Sequence, residues 1–307
     1  MKEKIITSGF ISVIGRTNAG KSTLLNSLVK SPLAMVSKKI NATRKRMDII
    51  VPFEDEIYNS QLIFIDTPGL HESNKLLNEY MLQEAYKATR DSDLCVFLAV
   101  ASTNCNEILH YKNFLEQHKK KHIILLNKID MLNKQELLSC LEAYKQYQEQ
   151  AISIIPIKAK ELDNYTTNAI LSVIASNLPI HPHFYEDGIS STTFMRDIYK
   201  EAIREAIFER LSDEIPYESD VKILKITEKT TILYIKAQII VAKDSQKAMI
   251  IGKNGMTIKS LGGIARQKLE YLAEQKVFLE LMVKTIKGWN TNKQTLKQFG
   301  YDFDMES

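Results

Sequence analysis

The first half of the chain alternates short apolar runs with amphipathic stretches. Phe10–Ile14, Leu62–Ile65, Leu94–Val100, Ile123–Leu126 and Ile154–Ile157 each run without a charged side chain. That is the pattern of strands buried on both faces in a parallel sheet. Between them, Ser22–Val29 sets Leu24, Leu25, Leu28 and Val29 at helical spacing, and Leu76–Ala88 reads as another helix. Strand and helix in alternation predict an α/β, doubly wound, mostly parallel sheet whose working residues lie at the carboxyl ends of strands. The pattern then lapses. Asn177–Thr193 holds Pro179, Pro182 and Gly188 with little periodicity and reads as a connector. Beyond it, a helix at Phe194–Leu211, a hairpin at Asp220–Thr227 and Thr231–Ala242, two short helices and a strand at Val277–Val283 predict an α+β unit. The expected organisation is therefore a domain over 1–176, a linker over 177–193 and a second domain with a tail over 194–307.

Three of the apolar runs end in residues that carry chemistry. Phe10–Ile14 leads into GRTNAGKS, in which Gly15, Arg16, Thr17, Asn18, Ala19, Gly20, Lys21 and Ser22, followed by Thr23, fit the G-x-x-x-x-G-K-[ST] pattern. Glycine-permitted turns there aim backbone amides at phosphates, the lysine meets the outer phosphates and the serine hydroxyl ligates magnesium. The helix N-terminus that follows favours an anion. Leu62–Ile65 ends in Asp66-Thr67-Pro68-Gly69, where the carboxylate reaches the magnesium shell through water and the Gly69 amide faces a γ-phosphate. Ile123–Leu126 ends in Asn127-Lys128-Ile129-Asp130, whose Asp130 accepts from two donors on guanine. Adenine lacks that donor pair, and a buried carboxylate left unpaired costs ~3 kcal/mol or more, so the base read is guanine. Singly, DTPG can be a plain turn and NKxD a surface tetrapeptide. Together, in this order, they describe a GTP site.

These residues resemble the translation-factor-related GTPases, and the segment Asn41-Ala42-Thr43-Arg44 is similar to the TTR segment of the Era-type group, with Ala42 a departure. The resemblance makes Thr43 the switch threonine that ligates magnesium in the triphosphate state. The basic surroundings Lys38, Lys39, Arg44, Lys45 and Arg46 otherwise read as a solvated loop. Leu70 stands where many small GTPases carry glutamine, and leucine cannot orient a water. In the subgroup with a hydrophobic residue there, the asparagine within the phosphate loop, here Asn18, helps to hold a potassium ion that offers positive charge to the transition state. The other reading of Asn18 is a turn residue tolerant of positive φ. Lys21, Asn18, Thr43 and Gly69 are thus the candidate catalytic residues, with slow intrinsic turnover expected. Lys158-Ala159 occupies the place of the usual Ser-Ala guanine loop, with the Ala159 amide offered to the guanine oxygen and Lys158 a departure.

Charge separates the two halves. The chain carries only +4 overall, but Val221–Gly300 holds 15 Lys+Arg against 5 Asp+Glu, which suggests a polyanion partner. Gly252-Lys253-Asn254-Gly255 joins two short helices, and a G-x-x-G loop there lets a backbone come close to a sugar-phosphate chain. Ile251 and Ile258 are candidates for the adjoining base groove or for plain core. Helix, strand, strand, helix, helix, strand around IIGKNG resembles a type II KH domain.

With both halves, the whole chain resembles the Era-type GTPases. That resemblance implies binding to the 3′ end of small-subunit ribosomal RNA, a role as a switch in 30S subunit assembly on a subunit precursor, Mg²⁺ as cofactor, and peripheral association with the inner membrane. A monomer in a reducing cytoplasm is expected. No apolar run approaches the ~20 residues of a spanning helix. Cys95, Cys105 and Cys140 show no metal or redox spacing, and His181 and His183 read as connector residues. Two competing readings are an RNA-binding assembly factor whose GTP site hardly turns over, kept open by Leu70, and a relative with tandem G domains, opposed by the single phosphate loop. A P-loop kinase has no use for NKID.

Overall fold

The computed structural model describes residues 4–29, 47–67, 76–119, 121–186, 189, 195–212, 215–299 and 301. They form two compact units, one running to Thr192 and the other from Thr193, with the first turns of one helix, up to Met81, grouped with the second.

In the first unit the elements run β1 (Ile5–Ile14), α1 (Lys21–Val29), β2 (Met47–Glu54), β3 (Tyr58–Asp66), α2 (Leu76–Asp91), β4 (Leu94–Val100), α3 (Cys105–Gln117), β5 (His122–Asn127), α4 (Lys134–Lys145), β6 (Ala151–Ile157) and α5 (Asn164–Ala175). The sheet order is β2-β3-β1-β4-β5-β6, parallel except for β2, which pairs antiparallel with β3 at one edge. The apolar runs are continuous because successive residues enter opposite cores. Val96, Leu98 and Val100 pack with Leu24, Leu25 and Leu28 of α1 and Ile170, Leu171 and Ile174 of α5. Cys95, Phe97 and Ala99 pack on the other face with Tyr111 and Phe114 of α3 and Cys140 and Tyr144 of α4. Cys95 is a core thiol, and burial pushes its pKa up to about 12. The edge strand β2 was not legible as a strand in the sequence. Its Pro52 cannot donate to a ladder, and an edge position tolerates that.

The segment expected as a connector packs on the first unit as far as Tyr185. Ser8 donates to the Pro179 carbonyl at 3.2 Å, and Thr7 forms an antiparallel bridge with Ile180. The buried Gln61 side chain accepts from the Phe184 and Tyr185 amides at 2.9 and 3.0 Å and donates to the Tyr185 carbonyl at 2.9 Å. The Phe184 ring lies 5.3 Å from Phe10 and stacks on His181 at 4.3 Å. Among the described residues, no cluster of His, Cys, Asp and Glu could hold a metal ion by itself, and no helix is long and apolar enough to cross a membrane.

The second unit continues with α6 (Met195–Arg210), β7 (Ser219–Lys229), β8 (Ile232–Val241), α7 (Asp244–Ile251), α8 (Met256–Ala273), β9 (Lys276–Thr285) and α9 (Lys293–Gln298). Its sheet runs β7-β8-β9, antiparallel then parallel. One face packs on α6 and α8 through Ile203, Ile207, Ile235, Ile239, Leu261 and Leu269. At one end of the other face, Ile240 is buried with Trp289, Leu296 and Tyr301. Helix α6 also buries charge. Lys200 meets Asp220 at 3.1 Å, Arg204 meets Glu201 at 2.8 Å, and the Tyr301 hydroxyl donates to Asp220 at 3.0 Å. Burial disfavours the Arg204 charge, but Glu201, Tyr301 and Asp220 outweigh it and its pKa moves up. The set balances two positive groups against two negative ones, which is what makes its burial tolerable.

Candidate nucleotide site and nucleic-acid interface

The phosphate loop is shaped by what presses on it. A Cβ at Gly15 would stand 2.4 Å from the Leu98 carbonyl oxygen, so the loop can leave β1 here only as glycine. Gly20 has φ +104° and its Cβ would meet the Asn127 amide nitrogen at 2.4 Å. Asn18 also adopts a left-handed backbone, φ 62°, as a turn residue of that kind does. Lys21 begins α1 and is buried, with its ammonium donating to the Gly15 and Arg16 carbonyls at 3.0 and 3.3 Å. Desolvation lowers its pKa to about 8, with Asp66 pulling the other way. The next residue, Ser22, donates to the Asp66 carboxylate at 3.1 Å, and Asp66 is fully buried at the end of β3. A hydroxyl and a carboxylate in contact are hard oxygen donors of the kind Mg²⁺ takes. Thr67 is tied back to the Val13 carbonyl at 2.8 Å. Arg16 is held aside by Glu107 at 2.6 Å. Thr43, Pro68, Gly69 and Leu70 lie outside the described residues.

Asn127, at the end of β5, joins three loops. Its amide nitrogen donates to the Ala19 carbonyl at 2.7 Å, and its oxygen accepts from the Lys128 and Ala159 amides at 2.8 and 2.9 Å. Lys128, left-handed at φ 65°, reaches the Asn18 carbonyl at 2.7 Å. Desolvation and then Arg16 lower the Lys128 pKa. The motif's last members, Ile129 and Asp130, form a single 3-10 turn after β5, in which Asp130 is exposed and not the buried carboxylate expected. The guanine loop differs from expectation in one respect: the Ala159 amide is donated to Asn127. The Ala159 carbonyl meanwhile accepts from Ser27 at 2.6 Å, which fixes the loop to α1. Lys158 points away to Glu161 at 2.6 Å, so the residue standing in the serine position makes an exposed ion pair.

In the second unit, Gly252–Gly255 links α7 to α8 with three left-handed residues, Gly252 at φ 72°, Asn254 at 52° and Gly255 at 74°. Lys253 and Asn254 are exposed. Ile251 and Ile258 are half-buried, while Ile250 fills the core, so these two candidates stand at the core's margin. Met249 and Met256, 58% and 60% exposed, flank the loop with apolar surface.

A family model described as 50S ribosome-binding GTPase matches residues 10–128, and a KH domain model matches residues 203–290. The chain is 48% identical to GTPase Era of Helicobacter pylori (strain HPAG1) over 302 residues, covering 98% of each protein. It is a member of the Era family of GTPases. Its activity is GTP hydrolysis, carried on a mostly parallel α/β domain followed by a KH domain. GTPase Era of Campylobacter lari is 45% identical over 296 residues, covering 96% of this chain and 99% of that one. Among solved structures, an Aquifex aeolicus Era variant bound to GDP.AlF4- superposes with a TM-score of 0.88 at 29% identity, over 97% of this chain and 100% of that one. A structure of Era in complex with MgGDPNP and nucleotides 1506–1542 of 16S ribosomal RNA has the same TM-score at 28% identity and the same coverage.

Several parts of this Era-family site were missed by motif reading. The Arg16 partner Glu107 is signalled by Asn104, the cap of α3 three residues earlier, but not its direction toward the phosphate loop. Ser27 and the two methionines carry no local signature at all.

Proposed function

We propose that this GTPase binds Mg²⁺–GTP in the cradle of the first unit and the 3′ end of small-subunit ribosomal RNA on the KH unit, each favouring the other. The observation that carries the reading is the Gly252–Gly255 loop. It holds three consecutive or near-consecutive left-handed residues with Lys253 and Asn254 facing solvent, a backbone that a sugar-phosphate chain can approach closely. The Era complex with MgGDPNP and 16S ribosomal RNA nucleotides supports the same pairing of ligands.

Within the cradle, Lys21 is poised to move from two carbonyls to the outer phosphates, where its charge is better satisfied. Ser22 and Asp66 would hold the metal, which supplies charge to a leaving phosphate when bound. Thr43 would complete that shell in the triphosphate state, and Asp130 would read guanine. Asn18 would take potassium, and Leu70 would leave unassisted turnover slow. GTP bound with RNA marks one state and GDP the other, so their affinities are linked reciprocally. The role is a timed switch in 30S subunit maturation on a precursor particle, performed by a monomer in the cytoplasm that visits the inner membrane surface.

The test measures GTP hydrolysis in potassium and in sodium, each with and without a single-stranded oligonucleotide from the 3′ end of 16S ribosomal RNA. Stimulation by both potassium and RNA is the expected result. RNA that leaves turnover unchanged would overturn the coupling, and equal rates in the two salts would return Asn18 to a turn residue.

A further inference from the structure

The sheet of the KH unit has a second face, and only part of it is covered. Ile240 at one end lies beneath Trp289, Leu296 and Tyr301. Toward the β7–β8 turn, the same face carries an aromatic pair in register, Tyr234 on β8 opposite Phe278 on β9, with ring centroids 5.5 Å apart. Phe278 is 54% exposed and sits on the edge strand. Leaving a large aromatic half in water forgoes burial that the fold obtains elsewhere on this sheet. Cations surround the pair. The Lys229 ammonium lies 4.9 Å from the Tyr234 ring centroid. Lys225 is paired directly across from Lys236, which also meets Glu280 at 2.8 Å. Like charges opposite one another on a sheet repel, a cost that a polyanion would relieve.

We propose that Tyr234 and Phe278, with Lys225, Lys229, Lys236 and Lys276, form a second platform for single-stranded RNA, on the face opposite α8 and separate from the Gly252–Gly255 loop. Flat aromatic faces take bases irrespective of sequence while lysines follow the backbone, and this combination recurs in single-strand binding surfaces. A protein partner of acidic surface would use the lysines without needing the two rings, which lie tilted at 41° to each other. Helix α7, which leads into the loop, packs against β9. An RNA long enough to run from the loop around the edge strand β9 would reach Phe278 there. The proposal rests on the RNA reading above for its ligand but not for its location.

The experiment titrates the full chain with two labelled oligoribonucleotides from the 16S 3′ end, one of about 4 nucleotides that fills a G-x-x-G groove and one of about 12 that outruns it. Tyr234→Ala with Phe278→Ala should weaken the longer RNA by ~10-fold or more and leave the shorter within ~2-fold. Tyr234→Phe with Phe278→Tyr should restore the longer RNA, since any aromatic face serves. Gly252→Asp with Gly255→Asp, by contrast, should weaken both. A Tyr234/Phe278 double alanine variant that binds the longer RNA as the parent does, or that loses both RNAs equally, would sink the platform. A Gly252/Gly255 variant that binds both as the parent does would sink the loop reading and leave the platform to the longer RNA alone.

Discussion

Two glycine-bearing loops open helices in this molecule, and of their four glycines only Gly255 stands in open space. In Gly15–Gly20 the space is already taken. The Leu98 carbonyl and the Asn127 side chain stand within 2.4 Å of where a Cβ would be, and Lys21 is buried behind them. In Gly252–Gly255 a Cβ on the first glycine would meet the Thr257 hydroxyl at 2.1 Å, but the second has nothing within 4 Å and the lysine is exposed. The first loop is a closely packed mould, which suits a reaction in which donors must be held in place. The second is open at Gly255, where a missing side chain admits another molecule's backbone. Glycine identity alone does not tell these apart. What presses on the glycine does.

The comparison breaks most sharply at the lysines. Lys21→Met should lower GTP hydrolysis by ~10²–10³-fold in single-turnover assays, the size of losing one aimed donor. The same residue gives a pH signature. Its folded pKa of about 8 lies below the ordinary lysine value of 10.5, so in that window the unfolded chain binds more protons and stability of the nucleotide-free protein should rise from pH 8 to 10.5. Thermal unfolding across that range should show the rise in the parent and not in Lys21→Met. Lys253→Met should leave hydrolysis without RNA unchanged and weaken RNA binding, with a shallower salt dependence.

Asn127→Ala comes next. It strands the Ala19 carbonyl and the Lys128 and Ala159 amides, and denaturant unfolding should show a loss of about 2–4 kcal/mol, because each buried group left unsatisfied costs about 1–3 kcal/mol. A loss under ~1 kcal/mol would mean that water replaces the side chain and the mould is softer than described.

The glycines of the second loop then separate from one another. Gly252→Ala combines φ 72° with a Cβ 2.1 Å from the Thr257 hydroxyl, whereas Gly255→Ala has φ 74° and nothing within 4 Å. The first should cost more than the second, whose penalty is about 1 kcal/mol for a left-handed alanine. Adding Thr257→Ala should recover part of the first and none of the second. If both cost the same, the crowding at Gly252 is not what shapes the loop.

Much of this was legible in sequence because it is local. Strands buried on both faces must be apolar throughout, and the phosphate, DTPG and NKID motifs each sit where such a run stops. The edge strand β2 was hidden by Pro52 and by its lack of a motif. The docking of the connector turns on Gln61, whose partners Phe184 and Tyr185 lie more than a hundred residues away, and nothing near Gln61 announces them. Helix α6 was expected in its place but its buried charge was not, since Lys200, Glu201 and Arg204 are buried with Asp220 from β7, and opposite charges from two elements cancel where neither could be buried alone. The guanine loop was found by position. Its amide was assigned outward because sequence could not show that Asn127 takes it.

The Asn127 side chain also sets how these loops come apart. Since one amide group holds the Ala19, Lys128 and Ala159 backbones, fraying at any of the three exposes all of them, and the Lys128 and Ala159 amides should exchange hydrogen with solvent through a common opening event. A ligand that touches only the base end would then slow exchange there and steady the carbonyl of Ala19 in the phosphate loop as well.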